Sequence, residues 1–258
     1  MPVVKGSGSS VAYTIGPGAP TPAVKLLLIA TIGIFLAQYF ADLVPFGEYG
    51  NLNGAIIWWF GMTPALVVRG YVWQPLSYMF LHGGFMHLIF NMLAVWMFGV
   101  DLERRWGQTA FYRYYFVCGV GAALTTLVVG LLPFASTQAV YVIPTIGASG
   151  SVYGLLLAYA IFFPNRIIYY FIFPIPVRVY VLLTGLLVLY ESARGGAGGG
   201  VAHFAHLGGL LFGYLYLSMG RGGPWAEIKY RYVKWRMNRL KKRFDVHDGG
   251  RRWDSRVH

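Results

Sequence analysis

Cysteine is nearly missing from this 258-residue chain. Its single thiol, Cys118, excludes an intrachain disulfide and any metal centre built from cysteines. It lies in an apolar run, where a thiol behaves as a small buried hydrophobe. Charge is scarce as well. Lys, Arg, Asp and Glu make up 12% of the residues, about half of the ~25% usual in soluble domains. Twelve of the 21 basic residues and four of the nine acids lie beyond Gly220. The first 220 residues therefore hold nine basic and five acidic side chains, too few to cover a water-soluble globule of that size. A soluble enzyme, a coiled coil and a disordered chain do not fit. A cleaved signal peptide does not fit either, because Met1 to Pro22 lacks a charged stretch leading directly into an apolar one.

Hydrophobic length is what the chain has in quantity. A helix crossing about 30 Å of hydrocarbon needs roughly 20 apolar residues, and segments 23–43, 82–101, 111–133, 147–163, 176–191 and 201–219 approach that. The expectation is an all-α integral membrane protein with a six-helix bundle over 23–220. A flexible N-terminus (1–22) precedes it and a basic amphipathic tail (221–258) follows. Between the first two segments, Val44 to Leu81 is long, mostly apolar and rich in tryptophan, which suits the membrane interface. Pro164, Pro174 and Pro176 argue against a further crossing between the fourth and fifth segments. Lys and Arg collect on one side of this arrangement, leaving only Arg69 and Arg194 on the other. The positive-inside rule then puts both termini in the cytoplasm. Of the net charge of +12, +8 sits in the tail (twelve basic against four acidic residues), where it reads as contact with anionic lipid and not with nucleic acid.

Polar groups inside hydrocarbon are costly and so are functional candidates. The second segment carries His82, His87 and Asn91. The fourth opens with Gly147-Ala148-Ser149-Gly150-Ser151-Val152-Tyr153-Gly154, and the sixth with His203-Phe204-Ala205-His206-Leu207-Gly208-Gly209, followed by Gly213. His87 and Asn91 share a helical face, as do His206, Gly209 and Gly213. Small residues on that face let another membrane helix approach closely. If the fourth and sixth helices meet there, an imidazole comes within reach of a hydroxyl, the pairing of a nucleophile with a general base. Rival readings weigh against this. Ser149 alone suits a helix cap, and four histidines suit a metal. Neither His82 nor His87 is followed by Glu, as a His-Glu-x-x-His zinc peptidase would require. Residue 151 is Ser, so the Gly-x-Ser-x-Gly hydrolase elbow fails. Carboxylates are too few inside the membrane segments for a cation transporter.

Taken together, Gly-x-Ser-Gly, Ala-His-x-x-Gly-x-x-x-Gly and His-x4-His-x3-Asn, in this order and on these segments, resemble the rhomboid family of intramembrane serine proteases. The likeness runs from about residue 23 to 220 and includes Gly99-x3-Glu103-Arg104-Arg105. It implies Ser149 as nucleophile and His206 as general base, without a third acid. It implies an oxyanion hole from His87, Asn91 and the Ser149 backbone N–H, with Tyr153 packed on the imidazole. Gly147, Gly150, Gly209, Gly213 and His82 take supporting places, His82 by holding the helix top. No metal or cofactor is implied. Single-pass transmembrane proteins are the expected substrates and a bacterial inner membrane the expected location. The alternative is an inactive rhomboid-like scaffold that binds membrane helices; such proteins usually lack the Ser or the His, and this chain keeps both. Trp73 is followed by Gln74 where many rhomboids have Arg, so this loop is expected to be held differently. The glycine run in Ser192 to Gly200 is expected to act as a lid over the site.

Overall fold

The computed structural model describes residues 17–170, 173–194 and 200–219, with 236, 237 and 239. The chain divides into two compact units, Met1–Tyr216 and Leu217–His258, and the account below concerns the first. The glycine run, most of the N-terminal segment and nearly all of the basic tail lie outside the described residues.

Ten α-helices are described: α1 (Pro22–Ala41), α2 (Leu52–Phe60), α3 (Pro64–Val67), α4 (Gln74–Ser77), α5 (Phe85–Trp106), α6 (Gln108–Gly130), α7 (Gln138–Val142), α8 (Ser149–Phe162), α9 (Val177–Arg194) and α10 (Gly200–Met219). Of these, α1, α5 and α6 are long and apolar enough to cross a membrane, and α8 and the Val177–Leu187 part of α9 are shorter apolar helices. Their outward side chains are apolar; Leu26, Ile29, Phe90 and Leu182 are all more than half exposed, as lipid-facing residues would be. The molecule is an all-α membrane protein apart from one small element. Strands β1 (Ile167–Tyr170) and β2 (Phe173–Pro176) pair antiparallel, Ile167 opposite Pro176. The proline-broken stretch is thus a hairpin between α8 and α9. Its β-branched and aromatic residues favour extended backbone, and proline is tolerated on such two-stranded edges.

The second long helix extends five residues further than the sequence pattern suggests, to Trp106, because Glu103 is not a solvated charge. It is buried and accepts hydrogen bonds from the backbone N–H groups of Ala23 (2.9 Å) and Val24 (3.0 Å) and from the Thr21 hydroxyl. A helix start leaves its first N–H groups without partners, and the α1 N-cap, Thr21, makes no side-chain cap of its own. A carboxylate from the last turn of α5 supplies the missing acceptors. Arg105 lies over the Phe162 ring, 4.9 Å from its centroid, where it joins α5 to the end of α8.

The long loop between α1 and α5 is held by its own backbone carbonyls. The carboxamide of Gln74, fully buried, accepts from the Thr63 N–H (3.0 Å) and donates to the carbonyls of Trp58 and Trp59. The Trp73 indole donates to the Trp59 carbonyl and the Ser77 hydroxyl to that of Phe60. The last turn of α2 is thereby satisfied without water. A paired bridge from Met62 to Thr145 ties the loop to the segment leading into α8.

Helix α6 is the central post. Tyr78 donates to the Gly119 carbonyl, Ser151 to that of Tyr115, and Tyr114 to that of Gly154, each at 2.7 Å and buried. Between membrane helices, where lipid offers no hydrophobic drive, packing and such hydrogen bonds hold neighbours together.

Replacing Glu103 with Ala strands two buried N–H groups. We expect a loss of about 3 kcal/mol of stability, read from reversible unfolding in mixed micelles. Glu103→Gln, which retains one acceptor oxygen, should recover part of it.

Candidate active site

Ser149 is the first residue of α8, and the N-cap before it is Ala148, which makes no side-chain cap. The serine hydroxyl is not occupied in capping. The turn leading to it passes through Gly147 at φ 120°, a left-handed conformation that favours glycine. The Gly147 N–H donates to the Tyr78 carbonyl at 2.9 Å, which fixes the turn.

His206 comes from α10. Its Nε2 lies 2.8 Å from Ser149 Oγ. The imidazole stacks on the Tyr153 ring, one turn further along α8, with centroids 4.3 Å apart and planes at 21°. Two aromatic planes so placed leave the imidazole little freedom to rotate away. The approach depends on backbone meeting backbone. A Cβ on Gly209 would collide with the Gly150 carbonyl, and one on Gly150 with Ala122. Gly213 faces Gly154, where a Cβ would stand 3.3 Å from the Gly154 Cα and 2.7 Å from the Tyr114 hydroxyl. Gly208, off the face formed by His206, Gly209 and Gly213, fits equally closely against Ala122 and Thr125 of α6. Helix α10 is therefore seated against α6 and α8 at once.

His87 and Asn91, both on α5, converge on the same turn. A Cβ at Gly147 would lie 2.7 Å from His87 Nε2 and 3.9 Å from Asn91 Nδ2. The Asn91 amide also donates to the His87 carbonyl at 2.9 Å. His87 Nδ1 accepts from the Gly83 N–H at 3.4 Å, and its Nε2 faces Gly147. His82 stands against His87, ring centroids 4.9 Å apart. The His82 backbone N–H donates to Gln38 Oε1 at 3.0 Å and so links the segment leading into α5 to the end of α1.

The remaining polar residues separate from this group. Ser151 is fully buried and spends its hydroxyl on Tyr115. His203 lies 6.0 Å from His206, centroid to centroid, with no hydrogen bond to Ser149. Cys118 is buried against Gly154. Two contributors went unread in the sequence. Tyr78 holds both the Gly147 turn and α6, and nothing in its local pattern marks it. Gly208 was detectable as the neighbour of Gly209, had two packing faces been considered instead of one. A hydroxyl bonded to a fixed imidazole, at a helix N-terminus beside two further side-chain donors, can pass a proton from oxygen to nitrogen and stabilise negative charge nearby.

Comparison with known proteins places residues 69–222 in the family described as Rhomboid domain. The chain is 32% identical over 162 residues to the mitochondrial Rhomboid protein 1 of Saccharomyces cerevisiae, covering 62% of this chain and 46% of that protein. It is 27% identical over 224 residues to Rhomboid protease AarA of Providencia stuartii, covering 80% and 74% respectively. With Rhomboid protease GluP of Bacillus subtilis the figures are 28% over 199 residues, 76% and 34%. The chain thus spans less than half the length of the yeast and Bacillus relatives.

Gly209→Ala should force α8 and α10 apart and lengthen the Ser149–His206 contact. The expected result is a thermal midpoint lowered by several degrees, for roughly 1–3 kcal/mol of overpacking, together with loss of Ser149 labelling by a fluorophosphonate. Ala at Gly33, where a Cβ meets nothing within 4 Å, serves as the neutral control.

Proposed function

This chain belongs to the rhomboid family, and from that premise we propose that it is a serine endopeptidase cleaving membrane-anchored proteins in or near their transmembrane segments. The observation that carries the reading is the 2.8 Å contact between Ser149 Oγ and His206 Nε2, with the imidazole stacked on Tyr153. Two of the relatives are named as rhomboid proteases, which supports the same chemistry.

In the reaction we propose, Ser149 Oγ attacks the scissile carbonyl while His206 Nε2 takes its proton. His206 then returns that proton to the departing amine, leaving an acyl-enzyme that water hydrolyses by the same route reversed. Charge on the tetrahedral oxygen is met by His87, Asn91 and the Ser149 N–H. Losing one such donor typically costs 10²–10³ in rate. Stacking on Tyr153 does the orienting that a third acid performs in other serine proteases. The substrate is a single-pass helix, whose backbone groups are bonded internally while it lies in lipid. A scissile carbonyl becomes accessible only after local unwinding, so small or helix-breaking residues near the cut should favour cleavage. The Lys and Arg distribution favours cytoplasmic termini, and we assign the protein to a bacterial inner membrane.

Ser149→Ala should abolish cleavage of a model transmembrane substrate by the purified protein while leaving its thermal midpoint near wild type. A fluorophosphonate should label Ser149; labelling at Ser151 would sink the assignment. The histidines should also separate. His206→Ala is expected to lower kcat by at least 10³, against less than tenfold for His203→Ala, and the opposite order would mean that the base is His203.

A further inference from the structure

A cavity of about 340 Å³ lies between the end of α1, the start of α2 and the start of α5. It is separate from the Ser149–His206 pair, although His82 and Gly83 line it and both also touch His87. Its chemistry is uneven. Phe35, Tyr39 and Phe85 give it aromatic walls, and Asp42 gives it a carboxylate.

The polar groups around the cavity are spent on one another. Gln38 donates to Asn53 Oδ1 at 3.0 Å and accepts from the His82 N–H. Asn53 and Asn51 both donate to Asp42 Oδ1, at 3.0 and 3.2 Å. These bonds hold the Asp42 carboxylate in place without neutralising it. Among the described side chains no cationic group pairs with Asp42, while Asp101 is paired with Arg104. Tyr39 and Phe85 are both more than half exposed, so the cavity opens outward between aromatic rings.

A fixed negative charge among aromatic side chains suits an ammonium group. The ring faces attract a cation through their quadrupoles, and the carboxylate supplies the counter-charge. An anion or a purely apolar guest would leave Asp42 unpaired against it. We propose that this cavity binds an ammonium group, either the headgroup of an aminophospholipid or a free amine. The site depends on Asp42 and the aromatic walls and not on the reaction at Ser149.

The test is native mass spectrometry of the full-length protein in detergent, with added phosphatidylethanolamine or phosphatidylglycerol. Wild type should retain the ethanolamine lipid at least about tenfold better than the glycerol lipid, as for one close charge pair. Asp42→Asn keeps an oxygen for Asn51 and Asn53 and removes only the charge; it should abolish the preference with little change in thermal midpoint. Phe85→Leu keeps apolar volume without a ring and should reduce the preference severalfold. Displacement of the lipid by millimolar ethanolamine would identify a free ammonium as sufficient. Retention in its presence would assign the headgroup as the source. A wild type that does not distinguish the two lipids, or a preference that survives both substitutions, overturns the proposal.

Discussion

The contact between the Gly150 carbonyl and Gly209, backbone against backbone, sets everything else at the site. Ser149 and His206 lie 57 residues apart in the chain, on different helices, and neither side chain is long enough to bridge an ordinary helix–helix spacing of about 8–10 Å unless the helices close in. Glycine at both crossing points removes the side chains that would keep them apart. Tyr153 then limits the imidazole in rotation where the glycines have limited it in distance. Packing and positioning are one arrangement here, so a single methyl group in the wrong place alters both.

Around that contact, stability rests on side chains that bond to the carbonyls of neighbouring helices. Tyr78, Tyr114 and Ser151 each do so on or across α6. In water such bonds exchange with solvent and contribute modestly. In a dry interior each donor needs a partner inside the protein, and carbonyls exposed by small residues such as Gly119 and Gly154 provide one. The same logic appears in the loop after α1, where Trp73, Gln74 and Ser77 satisfy the end of α2. Gln74 does this with a neutral amide, so an arginine is not needed to hold that loop.

The helices were legible in the sequence because hydrophobic length needs no tertiary information. The approach of α8 to α10 was legible too, since glycine and histidine repeat on one helical face. What escaped was whatever depends on a distant partner. Glu103 is marked by the family motif as a residue with a local structural role, but its partners on α1 are not, and its burial there carries α5 beyond the apolar run. At Ile167–Pro176 the prolines exclude a further crossing without saying what replaces it, which is a hairpin. Tyr78 carries no periodic signal at all, since the carbonyl it meets belongs to a residue 41 positions away.

The cap on α1 also has a consequence for the time course of synthesis. The N–H groups of Ala23 and Val24 find their acceptor about 80 residues later in the chain. At roughly 5–20 residues per second, the interval before Glu103 emerges is on the order of ten seconds. Through that interval these two N–H groups have no carboxylate to meet and are left to water, while the other end of α1 can already bond to Asn51 and Asn53. The cap at the start of α1 can therefore close only after α5 has been made.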